Sequence, residues 1–505
     1  MTASYRVLPE IKEYERTSTT VVNAYLLPVM RRYLANLAEG LQRIGVTAPL
    51  LVVASNGGVV GATLAAERPV FCVGSGPAAG VVGAARLGAV SQAPDLIAFD
   101  MGGTTAKASL VEDGRVSLTT EYEFREGIST SSRFIKAGGY MLKVPAVDVA
   151  EVGAGAGSIA WIDGGGLLRV GPESAGAAPG PACYALGGRR ATVTDANVVL
   201  GFLNPSYLAG GELRLDARRA HEAIARDVAG PLGLSVASAA HGIREVANAS
   251  MARAIRAVTI ERGRDPRDYT LIAFGGSGPV HAVDVARALE IRRVLVPISP
   301  GVFTAVGMLA SDLQHHFVRA HAGALATLDR RAAASVLADM AREARVMLES
   351  EGYTADAITL AFAADLRYEG QGSELTVPLP DEGVETAAIA TLSARFRAEY
   401  ATTYGYATDE PLELVNFRLV ATGVRSSRLD FRALGVAARR APAGRRPVVF
   451  ARDAAPVDTP VLPRESVAKL DGPAIIEAYD STLVLPPGCT AAVDGGGNLL
   501  ITLRD

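Results

Sequence analysis

The chain has 505 residues, of which 49% are apolar and 20% charged, with a formal net charge of −3. This length holds roughly two to four domains with a large core, and the composition excludes a disordered chain. The near-neutral balance, without a long basic run, argues against nucleic acid as the main partner.

Cys72, Cys183 and Cys489 lie far apart with no CxxC pair. That suits a reducing cytoplasm and disfavours a structural zinc site. The start, Met1 to Arg6, lacks the apolar core of a signal peptide, and no run of about 18 apolar residues occurs, so no membrane association is expected.

In chain order, apolar Val22, Leu26, Val29, Tyr33, Leu37 and Leu41 recur at three or four, which predicts an amphipathic helix from about Ser18 to Gln42. Thr17 or Ser18 is its expected cap, and Pro28 a possible kink. Leu50 to Ala54 reads as a strand before the turn Ser55-Asn56-Gly57-Gly58, and Val70 to Val73 as another. Gly74-Ser75-Gly76-Pro77 then opens an Ala/Gly-rich helix from Ala78 to about Leu87. Its spacing is wrong for the dinucleotide fingerprint GxGxxG.

Leu96 to Phe99 is a short apolar run that ends in Asp100 and turns through Gly102, Gly103, Thr104 and Thr105. It resumes as Ala108 to Val111 and reverses at Asp113-Gly114, a hairpin signal. Successive backbone N–H groups in such a turn form an anion site, the two threonines add hydroxyl donors, and Asp100 can hold Mg²⁺ directly or through water. An ordinary glycine-rich hairpin turn explains the same residues equally well. Residues 119–150 read as strand-like segments broken at Gly138-Gly139. The glycine-rich tract 151–188 is too apolar for a linker and reads as a packed loop beside a site.

Of the carboxylates Asp148, Glu151, Asp163 and Asp195, each can serve a metal, a proton transfer, or simply a turn or cap. Asp195 suits an N-terminal helix position especially well. Residues 237–262 predict a second long helix stopped by Gly263. Thr270 to Phe274 is a strand, followed by Gly275-Gly276-Ser277-Gly278-Pro279, a helix from Val280 to Leu289 and a strand from Arg293 to Val296. Strand, glycine loop and helix suit an adenosine or phosphate group. His281 can cap the helix, contact nucleotide or fill a gap. Beyond Asp312, helices over 329–351 and 385–402, a hairpin over 358–378 and a strand over 412–420 read as scaffold. Tyr368, Glu369 and Gln371 form its hairpin tip, and residues 422–446 read as an exposed connection. Residues 447–505 read as short strands parted by Pro and Gly.

The two glycine turns, FDMGGTTAK and FGGSGP, resemble the second phosphate loop and the adenosine loop of the actin, Hsp70 and sugar-kinase ATPase fold. Over nearly its whole length the chain also resembles the A-type subunit of the ATP-dependent hydantoinase, N-methylhydantoinase and 5-oxoprolinase family. The stretches LPEIKEYERTSTTVVNAYLLPVMRRYL, SNGGV, GSGPAAGVVGA, TVTDANVVLG, ERGRDPRDYTLIAFGGSGPVHA and GPAIIEAYDSTLVLPPG carry it. Two departures stand out: Thr105-Ala106-Lys107 replaces a run that is commonly Ser-Thr-acidic, and Ala156 interrupts a GAGGGS pattern.

The resemblance implies an α/β chain with a hydantoinase/oxoprolinase ATPase-like domain over 1–320, an α+β domain over 321–440 and a small C-terminal mainly β domain over 441–505. It further implies about 190 residues ahead of this sequence carrying a first DxGGT turn; nothing before Leu8 resembles them, so the expected ATPase fold is incomplete. The implied activity is ATP-dependent opening of a cyclic amide such as a hydantoin or 5-oxoproline, with ATP phosphorylating the ring oxygen. The implied cofactors are ATP and Mg²⁺ or another divalent metal. The implied partner is a B-type subunit in a cytoplasmic hetero-oligomer.

In that scheme Asp100 is catalytic and a metal ligand, with Asp195 as a second metal ligand. Gly102, Gly103, Thr104, Thr105 and Lys107 hold phosphates, and Gly275, Gly276, Gly278 and His281 border the nucleotide. The alternatives are the ATPase subunit of an acetone- or acetophenone-type carboxylase, and a non-catalytic nucleotide-binding remnant.

Overall fold

The computed structural model describes residues 2–124, 128–131, 139–381, 383–425, 429–434 and 441–504. Gly138, in the expected break between strands, lies outside them.

The fold is mixed α/β, organised by a large sheet with twelve strands among the described residues. Its centre comprises β1 (Leu96–Met101), β2 (Ala106–Glu112), β3 (Val149–Val152), β4 (Thr270–Phe274), β5 (Arg293–Val296) and β6 (Leu499–Leu503). β1, β4 and β5 run parallel, whereas β2 and β3 continue antiparallel on one side and β6 on the other. The hairpin from β2 turns at Asp113 (φ 51°) and Gly114 (φ 72°), the positive pair expected of Asp-Gly.

Both faces of this sheet are covered, which explains the unbroken apolar run of β1. Leu96 and Ala98 face α1 (Ser75–Val90), whose small residues permit close packing. A Cβ on Gly83 would lie 2.9 Å from Gly307 Cα of the helix Phe303–Ala310, so glycine is what lets these two helices touch. Ile97, Phe99 and Met101 face the opposite core, shared with α2 (Val193–Val199), α3 (Val236–Val258) and α4 (Gly278–Ala288).

A second, six-stranded sheet joins Leu51–Val53 and Val59–Gly61 to strands from Leu313 to Pro378 and to Leu412–Gly423. The helices Arg330–Ser350 and Thr386–Tyr404 pack on it around Tyr368, Phe396 and Phe417. This sheet therefore takes strands from both sides of residue 320. The C-terminal strands divide between two sheets. Four of them form their own sheet, but Lys469–Asp471, Cys489–Val493 and β6 extend the main one, and Val448, Ile475 and Ile501 share the core of Phe99 and Leu271.

Two local expectations change. Residues Pro69–Cys72 form a 3₁₀ turn, not a strand. The first long helix spans Glu13–Arg43, beginning earlier than expected because Glu13 and Glu15 favour its N-terminus. Only part of its apolar stripe is covered: Val22 packs against Val70 and Leu142, but Val29 and Tyr33 are 67% and 58% exposed, whereas Thr19 and Asn23 are buried. The surface these meet is backbone, not hydrocarbon. Thr19 Oγ1 accepts from Lys143 N–H (2.9 Å) and Asn23 Oδ1 from Val70 N–H (3.2 Å).

A buried ionic cluster ties this N-terminal region to the second sheet. Lys143 Nζ, 1% exposed, lies 2.7 Å from Glu10 and 2.5 Å from Glu374, while Arg418 reaches Glu10 (3.0 Å) and Asp365 (2.7 Å). Burial alone would raise the Asp365 and Glu374 carboxyls, but Arg418 and Lys143 respectively hold both below their ordinary values. Their stabilisation is therefore complete above the unfolded carboxylate range and lost as pH falls through the lowered folded values. Lys143→Met leaves Glu10 with Arg418 alone and Glu374 with Lys12 alone, two buried carboxylates each short of one cation, and is expected to destabilise by about 3 kcal/mol. Urea denaturation at pH 7 measures the loss, and Asp365→Asn flattens the acid limb of the wild-type stability curve.

Candidate nucleotide-binding site

The parallel pairing of β1 with β4 sets Asp100 opposite Phe274 and brings the two glycine turns out at one end of the sheet. They are stitched together there. Ser277 N–H donates to Met101 O (3.1 Å), and Gly275 N–H to Pro300 O (2.8 Å). Gly275 has φ 78°, and a Cβ on it would collide with Asp100 Oδ1 and Met101 O, so no side chain is tolerated there. Gly278 starts α4 against the same strand end.

The glycine-rich tract closes the other side of the first turn. Ala156 N–H donates to Gly102 O (3.1 Å) and Gly157 N–H to Gly103 O (2.6 Å). A Cβ on Gly155 would sit 2.5 Å from Thr104 C. Thr194, in α2, anchors the tract by donating N–H and Oγ1–H to Ala156 O (2.8 and 2.9 Å). The carbonyls of Gly102, Gly103 and Thr105 are thus occupied, but the N–H groups of Gly103, Thr104 and Thr105 have no partner among the described residues. Gly103 and Thr104 are exposed, and a Cβ on Gly103 or Gly276 would meet nothing within 4 Å. Three free amides beside open space are a fitting cradle for an anion.

Beneath the turn, one row of side chains crosses three strands. Asp100, Lys107 and Glu151 are register partners on β1, β2 and β3. Lys107 Nζ donates to Thr105 Oγ1 (2.6 Å) and lies 3.4 Å from Glu151 Oε1. Burial pushes the Asp100 carboxyl up; Lys107 opposes the rise and Glu151 adds to it. Glu151, one of four carboxylates of equal standing in the sequence, becomes a site residue through strand pairing that its own neighbourhood does not signal.

Two expected site residues stand one layer behind the turns. Asp195 is fully buried and forms a capping box with Thr192 at the start of α2. Its oxygens accept from Ala182 and Cys183 N–H (3.2 and 2.8 Å) and from Thr192 N–H and Oγ1–H (2.9 and 2.7 Å). Fully buried and with both oxygens already accepting hydrogen bonds from its own surroundings, Asp195 serves as a structural cap, and the metal assignment gives way to that role.

His281 is also fully buried, with Nε2 3.1 Å from Asn197 Nδ2 and Nδ1 2.7 Å from Asn248 Oδ1. Burial, aided by Arg244, lowers its pKa far below the usual histidine range and keeps it neutral. Arg244 bonds Asn197 Oδ1 (2.7 Å) and pairs with Asp284 (2.8 Å). His281 therefore locks α2, α3 and α4 together and does not border the cleft. Among the described residues no group of three or more His, Cys, Asp or Glu is arranged to hold a metal, and no helix is long and apolar enough to cross a membrane.

Residues 16–317 match the model of the hydantoinase/oxoprolinase family. The chain is 34% identical to the caprolactamase alpha subunit of Pseudomonas jessenii over 99% of its own length and 71% of that protein. It is 31% identical to the acetophenone carboxylase gamma subunit of Aromatoleum aromaticum, over 99% of this chain and 69% of that one. The crystal structure of the ATP-dependent caprolactamase from Pseudomonas jessenii superposes with a TM-score of 0.83 at 33% identity, covering 99% of this chain and 72% of the other. The chain belongs to the hydantoinase/oxoprolinase family.

The two acids differ in the sign of their effect on stability. Asp195→Ala strands four donors and is expected to lower stability by about 3 kcal/mol. Asp100, whose carboxyl is raised on folding, opposes folding once pH exceeds its unfolded value. Asp100→Asn is therefore expected to raise the melting temperature at pH 7, with the gain vanishing below about pH 4. Calorimetry on both variants checks the contrast.

Proposed function

We propose that this chain is the nucleotide-using subunit of an ATP-dependent cyclic amidase acting on lactam- or hydantoin-type rings. The observation that carries the reading is the juxtaposition of the Gly102–Thr105 and Gly275–Gly278 turns, with the free amides of the first and the Asp100–Lys107–Glu151 row beneath it. Similarity to a caprolactamase subunit along the whole chain supports it. We take the fold as the actin, Hsp70 and sugar-kinase type, with the second phosphate turn and the adenosine loop supplied here.

A lactam amide is a poor electrophile, and ATP supplies the phosphoryl group that activates its carbonyl oxygen. The residues then have separable tasks. The amides of Gly103, Thr104 and Thr105 hold phosphate oxygens where charge develops, and Lys107 adds a cation below them. Asp100 offers the strand-end carboxylate that, with phosphate oxygens, forms a donor set suited to Mg²⁺. Gly275, Gly276 and Gly278 let the nucleoside approach bare backbone. The expected partner is a B-type subunit in a cytoplasmic hetero-oligomer. A second reading, the ATPase subunit of a ketone carboxylase, draws on the similarity to the acetophenone carboxylase subunit.

Phosphate release by the purified chain with Mg²⁺-ATP and a B-type subunit is expected to rise when ε-caprolactam or hydantoin is added. Asp100→Ala is expected to lower it about 100-fold or more, and Lys107→Met to raise KM for ATP. Stimulation by acetophenone and bicarbonate instead selects the carboxylase. Nucleotide binding without turnover in any mixture overturns both.

A further inference from the structure

The first long helix, Glu13–Arg43, is held to the rest of the chain along one side only, where Thr19, Asn23 and Leu34 are buried. At roughly 3.6 residues per turn, Tyr14, Val21, Tyr25, Pro28 and Val29 line the opposite side. All five are exposed, Val21 by 62% and Tyr25 by 80%. Exposed Ile11 and Tyr33 extend this stripe at its two ends. Single apolar side chains scattered on a surface need no explanation, but a continuous stripe does. From Tyr14 to Arg32 it runs for about 27 Å along a helix fixed in place by its other side.

The stripe reads alike from both ends. Tyr14 and Arg32 lie equally far from Asn23 in the sequence, as do Val21 and Tyr25. When two such helices are laid antiparallel with Asn23 at the midpoint, Val21 of each chain meets Tyr25 of the other, and Tyr14 meets Arg32.

The charges select the same arrangement. Glu13 and Glu15 stand at one end of the stripe and Arg32 at the other, and none of the three has an ionic or hydrogen-bonding side-chain partner among the described residues. Antiparallel packing sets Arg32 over the Tyr14 ring, between Glu13 and Glu15 of the facing helix. It also places opposite ends of the two helix dipoles side by side. A parallel pairing would bring acid against acid and arginine against arginine.

We propose that this face binds a second copy of the chain, through two-fold antiparallel pairing of the Glu13–Arg43 helices. In such an isologous interface each contact occurs twice, so one favourable pair counts double. Tyrosine and arginine are the residue types that carry most interface energy. The pairing uses no residue of the nucleotide turns, so it stands apart from the proposed activity.

Sedimentation velocity on the full chain, over a micromolar concentration range, is expected to show a dimer. Val21→Lys and Tyr25→Lys are each expected to weaken it about tenfold or more. Arg32→Glu alone, and Glu13→Lys with Glu15→Lys in one chain, are expected to weaken it about tenfold by setting like charges face to face. An equimolar mixture of these last two variants is expected to dimerise again, because each copy then meets the opposite charge on the other. Misfolded chains could not produce that rescue, and far-UV circular dichroism checks that every variant is folded. A wild-type chain that stays monomeric, a dimer unchanged in all folded variants, or a loss that mixing does not restore overturns the proposal. So does a stripe that takes up a B-type subunit while the chain alone remains monomeric.

Discussion

The parallel pairing of β1 with β4 is the constraint on which the site depends. In parallel register two strands end at the same edge of the sheet, so the turns that follow must leave side by side. Asp100 stands opposite Phe274, and the close approach at Gly275 welds the second turn to the end of the first. Helices on both faces seal the sheet, so polar groups collect only where its strands stop. The pairing of the two turns is a consequence of how the sheet terminates.

Behind the cleft lies a layer of polar side chains whose task is to hold elements together. Asp195 fixes the start of α2 and the segment of Ala182 and Cys183. His281, Asn197, Asn248 and Arg244 bind three helices through one network, and the Arg244 guanidinium sits 4.4 Å from the Phe202 ring centroid. Each buried group has a partner, which is the condition under which polarity in a core adds definition to a fold. Neutrality of His281 follows from the same arrangement: burial strips the ring of water, and Arg244 beside it makes a second positive charge still less favourable.

Much of this was legible in the sequence because the signals were local. The strand–turn–strand at FDMGGTTAK and the strand–loop–helix at FGGSGP each announce their own geometry, and the Asp113-Gly114 hairpin forms as its residues require. What stayed hidden depended on partners far along the chain. Glu151 enters the site only because β3 pairs with β2. His281, chemically able to contact a nucleotide, is claimed by Asn197 and Asn248 from two other helices, whereas the place of Asp195 at a helix start was legible beside it and only its bonds to Ala182 and Cys183 were not. The first long helix misled for a related reason. Val29 and Tyr33 obey its helical periodicity yet stay exposed, while Thr19 and Asn23 meet backbone groups of the neighbouring surface. The C-terminal strands looked self-contained because strand signals do not say which edge they will join.

That last feature sets an order of events during synthesis. β5 is flanked by β4 on one side and β6 on the other, and Arg293 of β5 is the register partner of Thr502. Until some 200 residues more have emerged from the ribosome, the edge of β5 presents unpaired backbone groups in the middle of the molecule. So non-local a pairing favours slow completion. The nascent chain can assemble its nucleotide turns early, since β1 and β4 are already present, yet it keeps an adhesive edge until near the end. A chaperone that shields that edge, or fast docking of the final strands, would govern the yield of native protein more than the stability of the finished fold does.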